Sequence, residues 1–138
     1  MVRMSHKKSS NIMQPVKEEH AKVSSEIDQF VDRFLSLMCD RSRRQILELL
    51  AVPVDTQEGT KPSLRERRST DIARELGLSP ATTSEHLHQL CDAKLIAARR
   101  DRNAVYYHLA NEMLVRAFRD LVLALNKEHA SRSVRQAN

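Results

Sequence analysis

Residues 69–109 read STDIARELGLSPATTSEHLHQLCDAKLIAARRDRNAVYYHL, and this stretch decides the fold. Its first part is helical by local chemistry. Ser69 or Thr70 supplies an N-cap, and Asp71 and Glu75 lie toward the positive end of the helix. Ile72, Ala73 and Leu76 share one face. Gly77 suits the left-handed residue that closes a helix, and Leu78 is an apolar plug in the turn. Ser79 followed by Pro80 restarts the chain as a helix, with an N-cap and then proline at the first helical position.

The second helix has two unlike faces. At about 100° per residue, Thr83, Leu87, Leu90 and Lys94 line one side. Ala81, Glu85, His88 and Asp92 line the other, flanked by Thr82 and Ser84. Small and polar residues in the first turns let such a helix approach base edges. Ser and Thr donate or accept, Glu accepts from cytosine, and Ala touches a thymine methyl. Alone, the pattern also fits an ordinary amphipathic surface helix. The segment beyond Lys94 tips the balance.

There the period changes. Leu95-Ile96-Ala97-Ala98 and the run Ala104 to Leu109 have strand character, separated by Arg99-Arg100-Asp101-Arg102-Asn103. This predicts a β-hairpin with its turn near Asp101 to Asn103 and three arginines at its tip. A solvated tip would carry the same charges. Directly after a helix-turn-helix, a cationic hairpin is more specific, because it reaches phosphates or the minor groove beside the reading helix.

Residues 69–109 resemble the winged-helix core of the ArsR/SmtB bacterial repressors. The resemblance rests on an ordered set: Asp71-Ile72-Ala73, Leu76-Gly77-Leu78-Ser79, Ser84 with His86-Leu87 and Leu90, Asp92-Ala93 with Leu95-Ile96, and Val105-Tyr106-Tyr107. Upstream, Arg41-Ser42-Arg43-Arg44-Gln45-Ile46-Leu47 matches the start of the family's second helix. The similarity runs from about Phe30 to about Lys127. It implies a mainly α fold with a small β-wing, a winged helix-turn-helix with N- and C-terminal dimerisation helices. It also implies a short strand near 64–68 that pairs with the wing.

The expected DNA contacts are Ser79, Ala81, Thr82, Ser84, Glu85 and His88 on the helix, and Arg99, Arg100, Arg102, Asn103 and Tyr107 on the wing. The expected partner is double-stranded DNA carrying an inverted-repeat operator, occupied by a homodimeric repressor.

The rest of the chain is support. Its 138 residues make room for one domain, and a net charge of +5 with only two glycines fits a helix-rich partner of a polyanion. No apolar run is long enough for a membrane span, and no secretory apolar core begins the chain. Two cysteines do not make a disulfide scaffold, so a cytoplasmic location is expected.

Residues 1–17 are expected to form a flexible basic tail, with a DNA-contacting arm as the alternative, residues 18–130 the DNA-binding and dimerisation domain, and residues 131–138 a second tail. A helix is expected from about Glu18 to Met38, and another from Arg41 to Ala51 with Ile46, Leu47 and Leu50 inward. Residues 53–68 form a loop longer than usual. A last helix, from Asn111 to about Ala130, carries a stripe that needs a partner. By the resemblance, Ile27 and Phe30 from the first helix and Leu114, Phe118, Leu121, Val122 and Leu125 from the last pair across a two-fold axis.

The signal is less legible. Many family members bind metal through thiolates at positions that here hold Arg68, Ser69 and Thr70. Others use a site on the last helix, where Asn111, Met113, Ala124 and Lys127 stand. Ala and Lys offer no ligand for a borderline metal, so no metal and no cofactor is expected. His88 and Cys91 have the spacing of two ligands on one helix, too few for a structural zinc.

Cys39 and Cys91 are the candidates for a thiol switch, which as a disulfide needs Cα atoms within roughly 7 Å; the alternative is two small hydrophobes. An enzyme is disfavoured, because no phosphate loop, nucleophile elbow or paired catalytic carboxylates are found. A winged-helix module for protein association stays open.

Overall fold

The computed structural model describes residues 14–52 and 66–137. Eight elements follow one another: α1 (Gln14–Met38), α2 (Arg41–Ala51), β1 (Arg67–Arg68), α3 (Ser69–Leu76), α4 (Pro80–Asp92), β2 (Ile96–Asp101), β3 (Ala104–Leu109) and α5 (Glu112–Gln136). The fold is mainly helical with one small antiparallel sheet, as the sequence predicts. The expected loop lies outside the described residues over 53–65, and so does most of the N-terminal tail. The chain divides into two units, one ending at Ser36 and one beginning at Leu37.

The first unit is described through α1. This helix starts four residues earlier than its periodicity suggests. Val23, Ile27, Phe30, Val31 and Leu35 stand exposed along it.

The second unit holds the core. Ile46 and Leu50 from α2, Ile72 from α3, Leu87 and Leu90 from α4, and Leu95 and Ile96 at the start of the hairpin are fully buried. Each such aliphatic side chain contributes about 1.5–3 kcal/mol by leaving water. Asp40 caps α2, its carboxylate accepting the Arg43 N–H at 3.0 Å. Two arginines of the same helix close the end of α1: Arg44 donates to the Met38 carbonyl at 2.6 Å and Arg43 to the Leu37 carbonyl at 3.3 Å. These carbonyls would otherwise lack intrahelical partners.

The sheet has the order β1-β3-β2. β3 is central, pairing Arg67 with Tyr107 and Arg68 with Tyr106 on one side, and Ile96 with Leu109 through Asp101 with Ala104 on the other. The short strand implied by the family resemblance is present as β1.

Four further boundaries differ from the sequence reading. Neither Ser69 nor Thr70 caps α3. β1 runs straight into the helix, so the extended residue at the cap position is Arg68, which makes no side-chain cap bond. α4 ends at Asp92, because Lys94 turns left-handed at φ 59° and the Leu95 N–H reaches back to the Leu90 carbonyl. β2 continues through Asp101, which places Arg99 and Arg100 in the strand and leaves Arg102 and Asn103 as the two-residue turn. α5 continues to Gln136, so residues 131–136 are helix and not a frayed tail.

Candidate nucleic-acid interface

The reading helix is set by its first turn. Gly77 closes α3 at φ 66°, and the Leu78 N–H bonds the Ala73 carbonyl at 2.9 Å. Only glycine adopts that conformation without strain. The chain then reverses into Ser79, whose hydroxyl oxygen accepts the Thr82 N–H at 3.1 Å while its own hydrogen goes to Thr82 Oγ1 at 2.8 Å. Thr83 is fully buried, and its hydroxyl is satisfied by the Ser79 carbonyl at 2.9 Å. With Leu87 and Leu90 it anchors one face of α4 in the core.

The other face is open. Ser79, Ala81, Thr82, Ser84, Glu85 and His88 are all exposed, so the structure brings the six expected helix residues to one surface. His88 lies 3.4 Å from Asp92, one turn along. His86 is not part of this surface. Its side chain is mostly buried, with Nε2 3.9 Å from the Asp40 carboxylate.

The wing residues divide. Arg100, Arg102 and Asn103 are exposed, and neither arginine makes an ion pair among the described residues. Arg102 sits at φ 56°, a conformation that disfavours any side chain. Arg99 is engaged within the protein. Its guanidinium bonds both carboxylate oxygens of Glu66 at 2.8–3.0 Å, lies 3.6 Å from Asp101, and sits 5.0 Å from the centre of the Tyr106 ring.

Tyr107 is half-buried on the opposite face of β3, and burial pushes its phenol up from the ordinary value. It pairs with Arg67, which is bound to Glu75 of α3 at 2.5 Å. Tyr107 therefore belongs with the helices that the sheet covers.

The sequence places the basic run Leu64 to Arg68 either near DNA or in a solvated loop, but it does not single out Arg68, Glu66 or Tyr106, which the structure groups around the wing. Arg68 donates to the Tyr106 hydroxyl at 2.8 Å and lies 5.1 Å from its ring centre. The basic run 65–68 is a visible signal, but its partners are not.

The two cysteines are free thiols. Cys39 is exposed at the junction of α1 and α2. Cys91 is half-buried, and burial followed by the neighbouring Asp92 pushes its thiol up. Less thiolate makes it a poorer nucleophile. Among the described residues, no three His, Cys, Asp or Glu side chains are grouped to hold a metal ion. None of the described helices is long and apolar enough to cross a membrane.

The profile described as bacterial regulatory protein, arsR family, matches residues 63–98, the stretch that holds β1, the helix-turn-helix and the start of the wing. The chain belongs to the ArsR family.

Among curated proteins it is 31% identical over 94 residues to the HTH-type transcriptional regulator KmtR of Mycobacterium tuberculosis, a match covering 68% of this chain. The chain spans 62% of the length of that relative. The solution structure of a homodimeric winged helix-turn-helix DNA-binding domain from Mycobacterium bovis, a possible ArsR-family regulator, superposes with a TM-score of 0.61. Identity there is 30%, over 79% of this chain and 89% of that one. The antimony-specific transcriptional repressor AntR gives a TM-score of 0.58 at 25% identity, covering 78% of this ArsR-family chain and 86% of AntR.

Proposed function

We propose that this ArsR-family chain is a sequence-specific DNA-binding transcriptional regulator that acts as a dimeric repressor on an inverted-repeat operator. The observation that carries this is the exposed face made by the cap residue Ser79 and by Ala81, Thr82, Ser84, Glu85 and His88 of α4, beside a wing whose turn presents Arg102. α4 would enter the major groove and the wing tip would meet the backbone or minor groove of the same duplex.

α5 supplies the reason for a second copy. Leu121 is 50% and Leu125 59% exposed, while Phe118 and Val122 line a groove of about 320 Å³ against α2. A single chain would leave this apolar surface in water. Two-fold pairing would also set two copies of α4 about one helical turn apart, roughly 34 Å, as two half-sites require. Homodimerisation of the M. bovis domain supports the same reading. The chain is then a regulator in the cytoplasm and not an enzyme.

The test is a salt titration of binding to duplex DNA with the purified chain. Affinity should fall steeply and linearly on a log–log plot, as phosphate contacts release counterions. Binding indifferent to salt, or none to any duplex, rejects the proposal in favour of a protein-association module.

A further inference from the structure

Tyr106 sits between two cations on one row of the sheet. Arg68 is its cross-strand neighbour on β1 and Arg99 its neighbour on β2, both about 5 Å from the ring centre. The two are electrostatically unlike. Arg99 is neutralised by Glu66, a carboxylate only 9% exposed that grips it through both oxygens. Arg68 is exposed, and its hydrogen-bond partner is the neutral hydroxyl of Tyr106; the Asp71 carboxylate attracts it more weakly and is itself paired with Arg74 at 3.5 Å, so the Arg68 charge is held in place without an ion pair of its own among the described residues.

Arg68 is also placed at the reading end of the fold. It immediately precedes α3. One groove of about 320 Å³ is lined by Ser69, Thr70 and Arg74 of α3 together with Leu78 and Pro80 at the start of α4. The first turns of both helices therefore open on the same side as the exposed N-terminal residues of α4. A duplex read by that end would run its phosphates past this groove, and Arg68 stands one residue before its lining residue Ser69. A guanidinium fixed there by an aromatic ring and a hydroxyl meets a phosphate with little ordering cost, and its planar fork suits phosphate oxygens.

We propose that Arg68, held by Tyr106, is a phosphate-binding residue of the DNA interface, whereas Arg99 is withheld from DNA by Glu66. This rests on the DNA-binding reading above, and it moves this row of the sheet's contribution from Arg99 to Arg68.

The experiment measures the salt dependence of binding to a random-sequence duplex by the full chain, with thermal melting of each variant as a folding check. Arg68→Gln keeps a donor for the Tyr106 hydroxyl and removes the charge. It should lower affinity severalfold near 0.1 M salt and flatten the log–log slope by about 0.9 for each Arg68 on the duplex. Arg68→Lys should restore the slope.

The double variant Glu66→Gln with Arg99→Gln removes both members of the neutral pair and should leave the slope unchanged. The proposal is overturned if wild type binds and Arg68→Gln keeps the full slope, or if the double variant loses as much slope as Arg68→Gln. If wild type binds no duplex at all, the DNA-binding reading fails and takes this proposal with it.

Discussion

The guanidinium of Arg99 and the carboxylate of Glu66 form a two-oxygen ion pair at 2.8–3.0 Å, with the carboxylate almost out of solvent. It joins β2 to the residue that leads into β1, so it fixes the edge of the wing. Because Arg99 is 46% exposed, water screens the pair, and its worth is discounted from that of a buried bridge. Glu66→Gln should cost about 1 kcal/mol, mainly by leaving an imperfectly matched group in a nearly dry site. Chemical denaturation should then show a lower midpoint at unchanged slope. An unchanged midpoint would mean the pair contributes nothing net.

The wing turn stores strain at Arg102, whose φ of 56° suits glycine. Arg102→Gly should stabilise the fold by up to about 1 kcal/mol, and Arg102→Ala should not, since alanine keeps the Cβ that makes the conformation costly. Both should weaken DNA binding alike, across specific and random sequences. Melting temperatures and affinities measured on the same pair of variants separate the two effects. Equal melting temperatures would show that the turn relaxes without glycine.

Ser84 and His88 are exposed on α4 and should act differently from Arg102. Substituting either should change which duplexes are selected from a random pool, at about 1–3 kcal/mol per altered base pair, with little change on non-specific DNA. If these variants lose affinity uniformly and Arg102→Ala shifts sequence preference, the division of labour is reversed.

Acid should loosen the start of α2. The Asp40 carboxyl is held below its ordinary value of 3.8, chiefly because its charged form accepts the Arg43 N–H; burial opposes this, and His86 and the Arg43 side chain each add a lesser attraction. A lowered folded value means the stabilisation is complete above about pH 4 and is lost as pH falls through that folded value. Asp40→Asn keeps a good helix cap but cannot titrate, so its stability should fall less steeply below pH 4 than that of wild type. Parallel acid profiles for the two proteins would remove Asp40 as a cause.

Much of this protein is decided by neighbours in sequence. Gly77, Ser79 and Pro80 end one helix and begin the next through bonds spanning three to five residues, and the 3.6-residue period of Thr83, Leu87 and Leu90 settles which face of α4 is buried. The family resemblance added β1, which two residues of strand could not announce by themselves. Those signals are local, so they are legible in the sequence, and they suffice for the fold and for the open face of α4.

The charges on the wing are another matter. Glu66 meets Arg99 across 33 positions and Arg68 meets Tyr106 across 38, and no local pattern relates them. A string of arginines gives the sum of charge but not which of them is already neutralised. That depends on strand register, because a shift of one residue would turn each side chain to the other face of the sheet. The sequence determined that there is a reading helix with a basic wing behind it; only the tertiary structure decided which arginines are left with charge to offer.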